Sequence, residues 1–306
     1  MLVSRRSFLA SLAVTGGAAL LRPQAALAQA APLTKPIPSS GEASPLIGLG
    51  SWITFNVGDD PAARDNCTEV MRAFFADGGR MIDSSPMYGS AQAVIGYGLN
   101  TLGHPQALFS ADKVWTSSGD DGAAQIEASR AHWGIARFGL LQVHNLVAWE
   151  EHLETLFAMK QAGKLRYVGI TTSHGRRHRD FEQIMRDHPL DFVQLTYNVV
   201  DREVEQRILP LAREKGIAVI ANRPFQQGVL IGRLEGRPLP QWAGEIGAAN
   251  WAQFLLKFIV SHPAVTCAIP ATSQVAHVRE NMGAARGALP DATMRARMIA
   301  YVEEIA

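Results

Sequence analysis

The stretch Lys160-Gln161-Ala162-Gly163-Lys164-Leu165-Arg166-Tyr167-Val168-Gly169-Ile170-Thr171 closes an amphipathic pattern, turns at a glycine and enters a short apolar run. Residues 150–161 carry their apolar side chains at helical spacing, and Gly163 stands where a left-handed residue commonly ends a helix. Residues 165–171 are too short for a further helix and rich in β-formers, so they read as a buried strand. The same unit recurs in both directions. Strand-like runs fall at 45–49, 80–83, 113–116, 139–144, 165–171, 191–197, 216–221 and 265–269. Helical patterns at 68–76, 203–214 and 251–260 lie between them, and Trp251, Phe254, Leu255, Phe258 and Ile259 form one stripe. Gly78 and Gly216 repeat the stop signal of Gly163. Alternation implies parallel strands with right-handed crossovers, and eight repeats without a compositional break predict an α/β fold of the single (β/α)8 class, a TIM barrel. No Gly-x-Gly-x-x-Gly follows any of the runs, which removes the fingerprint of a Rossmann domain.

The first thirty residues stand apart. Arg5-Arg6-Ser7-Phe8-Leu9 leads into an uncharged apolar stretch ending near Leu21, then into Ala26-Leu27-Ala28 and Ala28-Gln29-Ala30. A basic start, a short apolar centre and an A-x-A end describe a signal peptide, and the apolar stretch falls short of the roughly 20 residues that span a bilayer. The paired arginines resemble a twin-arginine leader, which implies cleavage near Ala28 or Ala30, the twin-arginine translocon as a transient partner and a periplasmic location. Residues 31–44, rich in Pro and Ser, read as a connector, and 45–306 as the barrel with a C-terminal helix.

The 306 residues carry 29 Lys and Arg against 28 Asp and Glu. Loss of residues 1–30 takes away Arg5, Arg6 and Arg22 and no acid, which leaves the remainder close to neutral. Nothing in that balance attracts nucleic acid. Two cysteines, Cys67 and Cys267, are too few for a disulfide framework or a four-cysteine metal site. His174 and His178 have the i,i+4 spacing of metal ligands, but Arg176, Arg177 and Arg179 beside them repel a cation. That basic run reads as a solvated helix start after the fifth strand, across the barrel from the eighth. Met71, Phe74 and Phe75 read as core.

In a barrel of this kind chemistry sits where strands run into the following loops. The second run ends in Asp83-Ser84-Ser85-Pro86-Met87-Tyr88-Gly89, the third carries Lys113, and the fourth ends in Gln142-Val143-His144-Asn145. A phenol gives up its proton only near pH 10, and burial raises that further. An adjacent ammonium stabilises the phenolate, an aspartate keeps the buried lysine charged, and a histidine on the next strand can donate to a carbonyl oxygen. Together they suit carbonyl reduction, with Tyr88 protonating the oxygen as hydride reaches carbon.

The motif Met81-Ile82-Asp83-Ser84-Ser85-Pro86-Met87-Tyr88-Gly89, followed by Lys113 and His144, resembles the Asp/Tyr/Lys/His tetrad of the aldo-keto reductase superfamily. Residues 160–170, Phe192-Val193-Gln194-Leu195-Thr196-Tyr197-Asn198, Ile269-Pro270 and Glu280-Asn281 extend the resemblance over about residues 45–288. It implies an oxidoreductase using NADP(H) or NAD(H), bound extended across the barrel mouth, and a small carbonyl or alcohol as substrate. In that frame Tyr88 is the general acid, Lys113 its modulator, Asp83 the partner of the lysine and His144 the orienting donor. Gln194 corresponds to the nicotinamide carboxamide contact, and Glu280 and Asn281, opening the last barrel helix, to adenine contacts. Thr171 and Thr172 stand where the family commonly has Ser-Asn. Asn222 replaces an aromatic that stacks on nicotinamide, and the resemblance leaves Arg223 or Phe225, which follow it, to cover part of the ring or the pyrophosphate.

The resemblance also bears on selectivity. After the eighth strand the chain reads Ala271-Thr272-Ser273-Gln274, with His277 and Arg279 near, where many members carry a Lys or Arg clamp on the 2′-phosphate of NADPH. Thr272 is then a cofactor contact, and the preference for NADPH is weakened. Substrate choice falls to the loops 52–61, 145–149 and 223–247, where Trp52, Phe55 and Trp149 offer apolar walls and Arg223 could receive an acidic group. A cofactor-binding redox sensor on the same barrel is the competing reading. A metal-dependent hydrolase would need clustered ligands at the first strand end, and residues 46–51 supply none.

Overall fold

Barrel closure rests on two short bridges. In the computed structural model, which describes residues 31–305, eight parallel strands hydrogen-bond in chain order, and Ile47 pairs with Ala268 and Gly50 with Ala271 to join the first to the last. The leader expected over residues 1–30 lies outside the described residues.

Two strands precede the barrel, β1 (Thr34–Pro36) and β2 (Ala43–Pro45). The barrel then begins with β3 (Leu49–Gly50), α1 (Pro61–Ala76), β4 (Met81–Asp83), α2 (Ala91–Thr101) and β5 (Phe109–Val114). It continues through α3 (Gly122–Trp133), β6 (Phe138–Val143), α4 (Trp149–Gln161), β7 (Leu165–Thr171) and α5 (His178–Asp187). Next come β8 (Phe192–Thr196), α6 (Ile208–Lys215), β9 (Ala218–Asn222) and α7 (Val229–Leu234). The chain ends with α8 (Trp251–Ser261), β10 (Cys267–Ala268), α9 (Val275–Gly283) and α10 (Ala292–Ile305). Among the described residues no helix is long and apolar enough to cross a membrane.

Strand alternation decides what faces inward. Phe109, Leu140, Tyr167, Phe192 and Ile220 fill the lower barrel with Met81 and Cys267. The rings of Phe109 and Tyr167 stack at 5.8 Å, and Tyr167 meets Phe192 edge-on at 5.4 Å. Further along the strands the same face becomes polar, with Gln142 and Gln194 two residues beyond Leu140 and Phe192, and Lys113 four beyond Phe109. The apolar layer is therefore the floor on which the polar layer stands.

The segment expected as a connector is instead a hairpin that stops the lower end of the barrel. β1 and β2 pair antiparallel, Lys35 opposite Ser44, and Ile37 between them is wholly buried among the barrel-lining side chains. Lys35 Nζ donates to the carbonyls of Val260, His262 and Val265 at 2.7, 2.8 and 2.7 Å. Glu42 receives Arg80, Arg166 and the Tyr167 hydroxyl. Prolines beside a strand read as loop, yet this strand is an edge where the missing N–H costs nothing.

Other boundaries moved for local reasons. α1 starts at Pro61 because Asp60 accepts the N–H groups of Ala62 and Ala63, a cap eight residues before the expected helical pattern begins at Thr68. The helix expected over 203–214 breaks into a 3-10 turn at Glu203–Glu205 and α6, whose first turn holds Pro210 where a helix tolerates it. β5 starts at Phe109, four residues before the run read from Lys113.

Candidate active site

β4 ends on Asp83, β5 carries Lys113 one residue before its end, and His144 follows directly on β6. Tyr88 stands on a 3-10 turn, Pro86–Tyr88, capped by Ser85, whose Oγ accepts the Met87 N–H at 3.2 Å. Gly89 at φ +60° lets the chain leave that turn against the Asn56 side chain, which a Cβ would meet at 2.3 Å. The structure thus brings Asp83, Tyr88, Lys113 and His144 together at one mouth.

Lys113 Nζ, completely buried, donates to Asp83 Oδ2 at 2.6 Å and to the Ser84 carbonyl at 2.7 Å. It lies 5.2 Å from the centre of the Tyr88 ring. The Tyr88 and His144 rings meet edge to face at 5.8 Å, and His144 Nδ1 is 2.8 Å from Ser85 Oγ. Burial, the largest single influence, pushes the ammonium down, but Asp83, Tyr88 and Asp112 together outweigh it and the lysine is held above its ordinary value. Burial pushes the Tyr88 phenol up, against the opposing charge of Lys113, and Asp83 and Asp112 add to the rise. The net direction is upward, so the phenol stays protonated through neutrality and can act as a proton donor. Burial and the Lys113 charge bring His144 down to about 2, which makes it a neutral imidazole.

Asp83 has three further neighbours that a strand-end reading passes over. Its Oδ1 accepts Gln194 Nε2 at 2.9 Å and Gln142 Nε2 at 3.4 Å, and the Ser51 hydroxyl donates to its backbone carbonyl at 2.9 Å. Gly169 makes room for Gln142, since a Cβ there would lie 3.1 Å from its Cγ and 2.6 Å from the Phe192 carbonyl. Gln142 and Ser85 carry no charge, and only the inward period of β6 and the cap before Tyr88 signalled them.

The residues expected to hold a dinucleotide fall on two arcs. On β7 to β9, Thr171 Oγ1 donates to Gln194 Oε1 at 3.4 Å, Thr196 Oγ1 to Asn222 Oδ1 at 2.8 Å, and Asn222 Nδ2 to the Thr172 carbonyl at 3.0 Å. The Thr172 hydroxyl is engaged by the Arg176 carbonyl at 2.6 Å. This neutral set of amides and hydroxyls matches the donors and acceptors of a nicotinamide carboxamide. Beside it Arg223, at φ +52°, is held below the usual arginine range by burial, against Asp201, with the like charge of Arg176 adding to the fall. A diphosphate there would relieve that cost, so the residues present fit the group. The basic run after β7 therefore neighbours the loop after β9.

On the second arc, Thr272 is buried and accepts the Gln274 N–H at 3.1 Å. Glu280 and Asn281 do not open α9, as expected, but lie in its last turns, because the helix already starts at Val275. Around the mouth, the half-buried Trp149 packs on His188 at 5.6 Å, while Phe55 is wholly buried and is not the expected wall. Trp115 takes that place: 39% exposed, its indole lies 6.5 Å from the His144 ring. Met87 is 44% exposed, and Ile53, 62% exposed, holds φ +64°, a strained conformation for a β-branched residue.

Comparison with known proteins agrees with this geometry. A sequence profile of the Aldo/keto reductase family matches residues 46–300. Methylglyoxal reductase YeaE of Escherichia coli K12 is 28% identical over 256 residues, covering 81% of this chain and 88% of that protein. An NADH-specific methylglyoxal reductase of the same organism is 25% identical over 224 residues, covering 61% of this chain and 66% of that protein. In fold the chain is similar to an aldo/keto reductase of Klebsiella pneumoniae solved with NADP and acetate, with a TM-score of 0.72 and 24% identity over 86% of this chain and 93% of that one. A barrel with this mouth, matched across nearly its whole length, belongs to the aldo/keto reductase family and is an NAD(P)H-dependent oxidoreductase that reduces carbonyl groups.

Proposed function

We propose that Tyr88 is the general acid of this reduction, with Lys113 and Asp83 as its charged support and His144 as the donor that orients the substrate carbonyl. The observation that carries the reading is the buried contact of 2.6 Å between Lys113 and Asp83 beneath the Tyr88 ring. Breaking such a pair costs about 3–5 kcal/mol, so each partner holds the other in place. A nicotinamide held there would supply the hydride. The carbonyl oxygen then takes the Tyr88 proton while the neutral His144 donates to its second lone pair. Thr171, Thr172, Gln194 and Asn222 would hold the nicotinamide end, Arg223 the diphosphate, and Thr272, Glu280 and Asn281 the adenosine end. The names of the two Escherichia coli relatives support small aldehydes and dicarbonyls as first substrates to assay. Tyr88→Phe is expected to lower kcat by about 10²–10⁴-fold and to leave dinucleotide affinity unchanged. Near wild-type reduction by that variant would remove Tyr88 from the role.

Export is the second part of the proposal, supported by Arg5-Arg6 and the A-x-A sites alone. A periplasmic enzyme meets little free dinucleotide, and passage in the folded state lets it carry one loaded in the cytoplasm. The cofactor then leaves slowly and is reduced in place, one substrate's alcohol being oxidised as another's carbonyl is reduced. Absorbance and mass analysis of protein recovered from the periplasm test this. A dinucleotide retained through purification is expected, and protein that arrives without one and binds it weakly overturns the idea.

A further inference from the structure

Asp112 stands next to Lys113 on β5 and, by the alternation of the strand, faces outward between the barrel wall and helices α2 and α3. It is completely buried. Its Oδ2 accepts Trp133 Nε1 at 2.6 Å and Gln92 Nε2 at 2.8 Å, and its Oδ1 accepts the Lys113 backbone N–H at 2.8 Å. Gln92 reaches on to Ser129 Oγ at 2.9 Å, and the wholly buried Trp133 is braced edge-on by Phe138 at 5.7 Å. Three rigid donors converging on one carboxylate make a built site, because a buried acid is otherwise expensive.

The helices bring only neutral groups to this carboxylate. Gln92 on α2 and Ser129 and Trp133 on α3 face it, while Arg130, paired with Glu127 at 2.9 Å, and the exposed His132 lie toward the outside of α3. On β6 the residue in register is Leu141. The formal charges that bear on Asp112 are Lys113 and, from β4, Asp83. Lys113 already has its inner-face partner in Asp83, so the outer carboxylate is a second negative charge behind one ammonium.

We propose that Asp112 is a positioning residue of the reaction centre: it fixes Lys113 through the backbone N–H, ties α2 and α3 to that strand, and by its charge adjusts how firmly the tetrad holds the Tyr88 proton. This rests on Tyr88 and Lys113 acting as proposed above. Burial pushes the Asp112 carboxyl up to about 7, against the Lys113 charge and the Lys113 and Gln92 donors, with Asp83 adding to the rise. Its ionised form raises the proton affinity of both Lys113 and Tyr88. A neutral Asp112 therefore leaves Tyr88 the stronger acid.

The test is the pH profile of kcat for reduction of a saturating aldehyde, with folding checked by near-UV circular dichroism. Wild type is expected to show a step near neutrality with the faster plateau on the acid side. In Asp112→Asn the step disappears. In Trp133→Phe, which removes one donor to the ionised form, it moves up by about one pH unit. Dinucleotide affinity measured by fluorescence stays within about twofold in both, since neither residue lies at the mouth. A step that persists in Asp112→Asn, or a rate lowered by the same factor at every pH, overturns the proposal. Should Asp112→Asn fail to fold, an unmoved step in Trp133→Phe overturns it alone. Tyr88→Phe run alongside separates the two claims: retained turnover sinks the tetrad reading and this inference together, whereas loss of turnover with an unmoved step sinks only Asp112.

Discussion

Ser85 Oγ lies 2.8 Å from His144 Nδ1, and this contact fixes which ring nitrogen faces the reacting carbonyl. The same oxygen accepts the Met87 N–H, and among the described residues its own proton has no acceptor but Nδ1, which leaves the hydrogen of the neutral ring on Nε2. Ser85→Ala frees Nδ1 to take the proton in part of the population. We expect kcat to fall about threefold to tenfold, the worth of one neutral hydrogen bond, with KM little changed and with recovery in Ser85→Thr. Steady-state kinetics of the three proteins decide it, and an unaltered kcat in Ser85→Ala would show that the serine only caps its turn.

The His144 imidazole, at about 2 in the folded protein, makes stability depend on acid. An unfolded histidine binds its proton near 6.5, so between those values the unfolded chain holds one more proton and stability falls as pH falls. The slope from this group is about 1.4 kcal/mol per pH unit. Urea unfolding at several pH values between 3 and 6 should give a shallower loss for His144→Asn than for wild type. Equal slopes would mean that the ring takes up a proton without leaving its site.

Selectivity between dinucleotides should be weak. The loop after β10 presents hydroxyls, His277 and the exposed Arg279, and the buried Thr272 hydroxyl is already turned to the Gln274 N–H. Two charge-assisted bonds to a 2′-phosphate would separate NADPH from NADH by more than this loop can supply. Fluorescence titration should place the two affinities within about 10²-fold, roughly 2.7 kcal/mol. A wider gap favouring NADPH would reveal a phosphate clamp elsewhere on the mouth.

What could be read from the chain followed the strand ends. Asp83, Lys113 and His144 were legible because parallel strands all point their C-terminal ends to one face, so order along the sequence becomes adjacency around a ring. Tyr88 was legible through the turn that follows Asp83. Contacts made across the ring from the side were not: Gln142, and Gln194 beyond its expected place at the nicotinamide, meet on Asp83 only after strands 59 and 111 residues away are in register. Asp112 hid the start of β5, since a charged residue in an apolar run argues against a strand until the donors on α2 and α3 are known. One wall of the mouth was misassigned for a related reason, because a loop sequence does not tell that Phe55 turns inward and Trp115 outward.

Lys35 reaches carbonyls 225, 227 and 230 residues downstream, and Ile37 fills a space that exists only once the last barrel strand is in place. During synthesis residues 34–45 must therefore wait for residues 260–271. Until then β3 has no partner on one side and its edge stays open to other chains. The stopper thus acts as a clock as well as a seal: an interrupted or truncated chain cannot set it, and only the completed polypeptide loses its sticky edges.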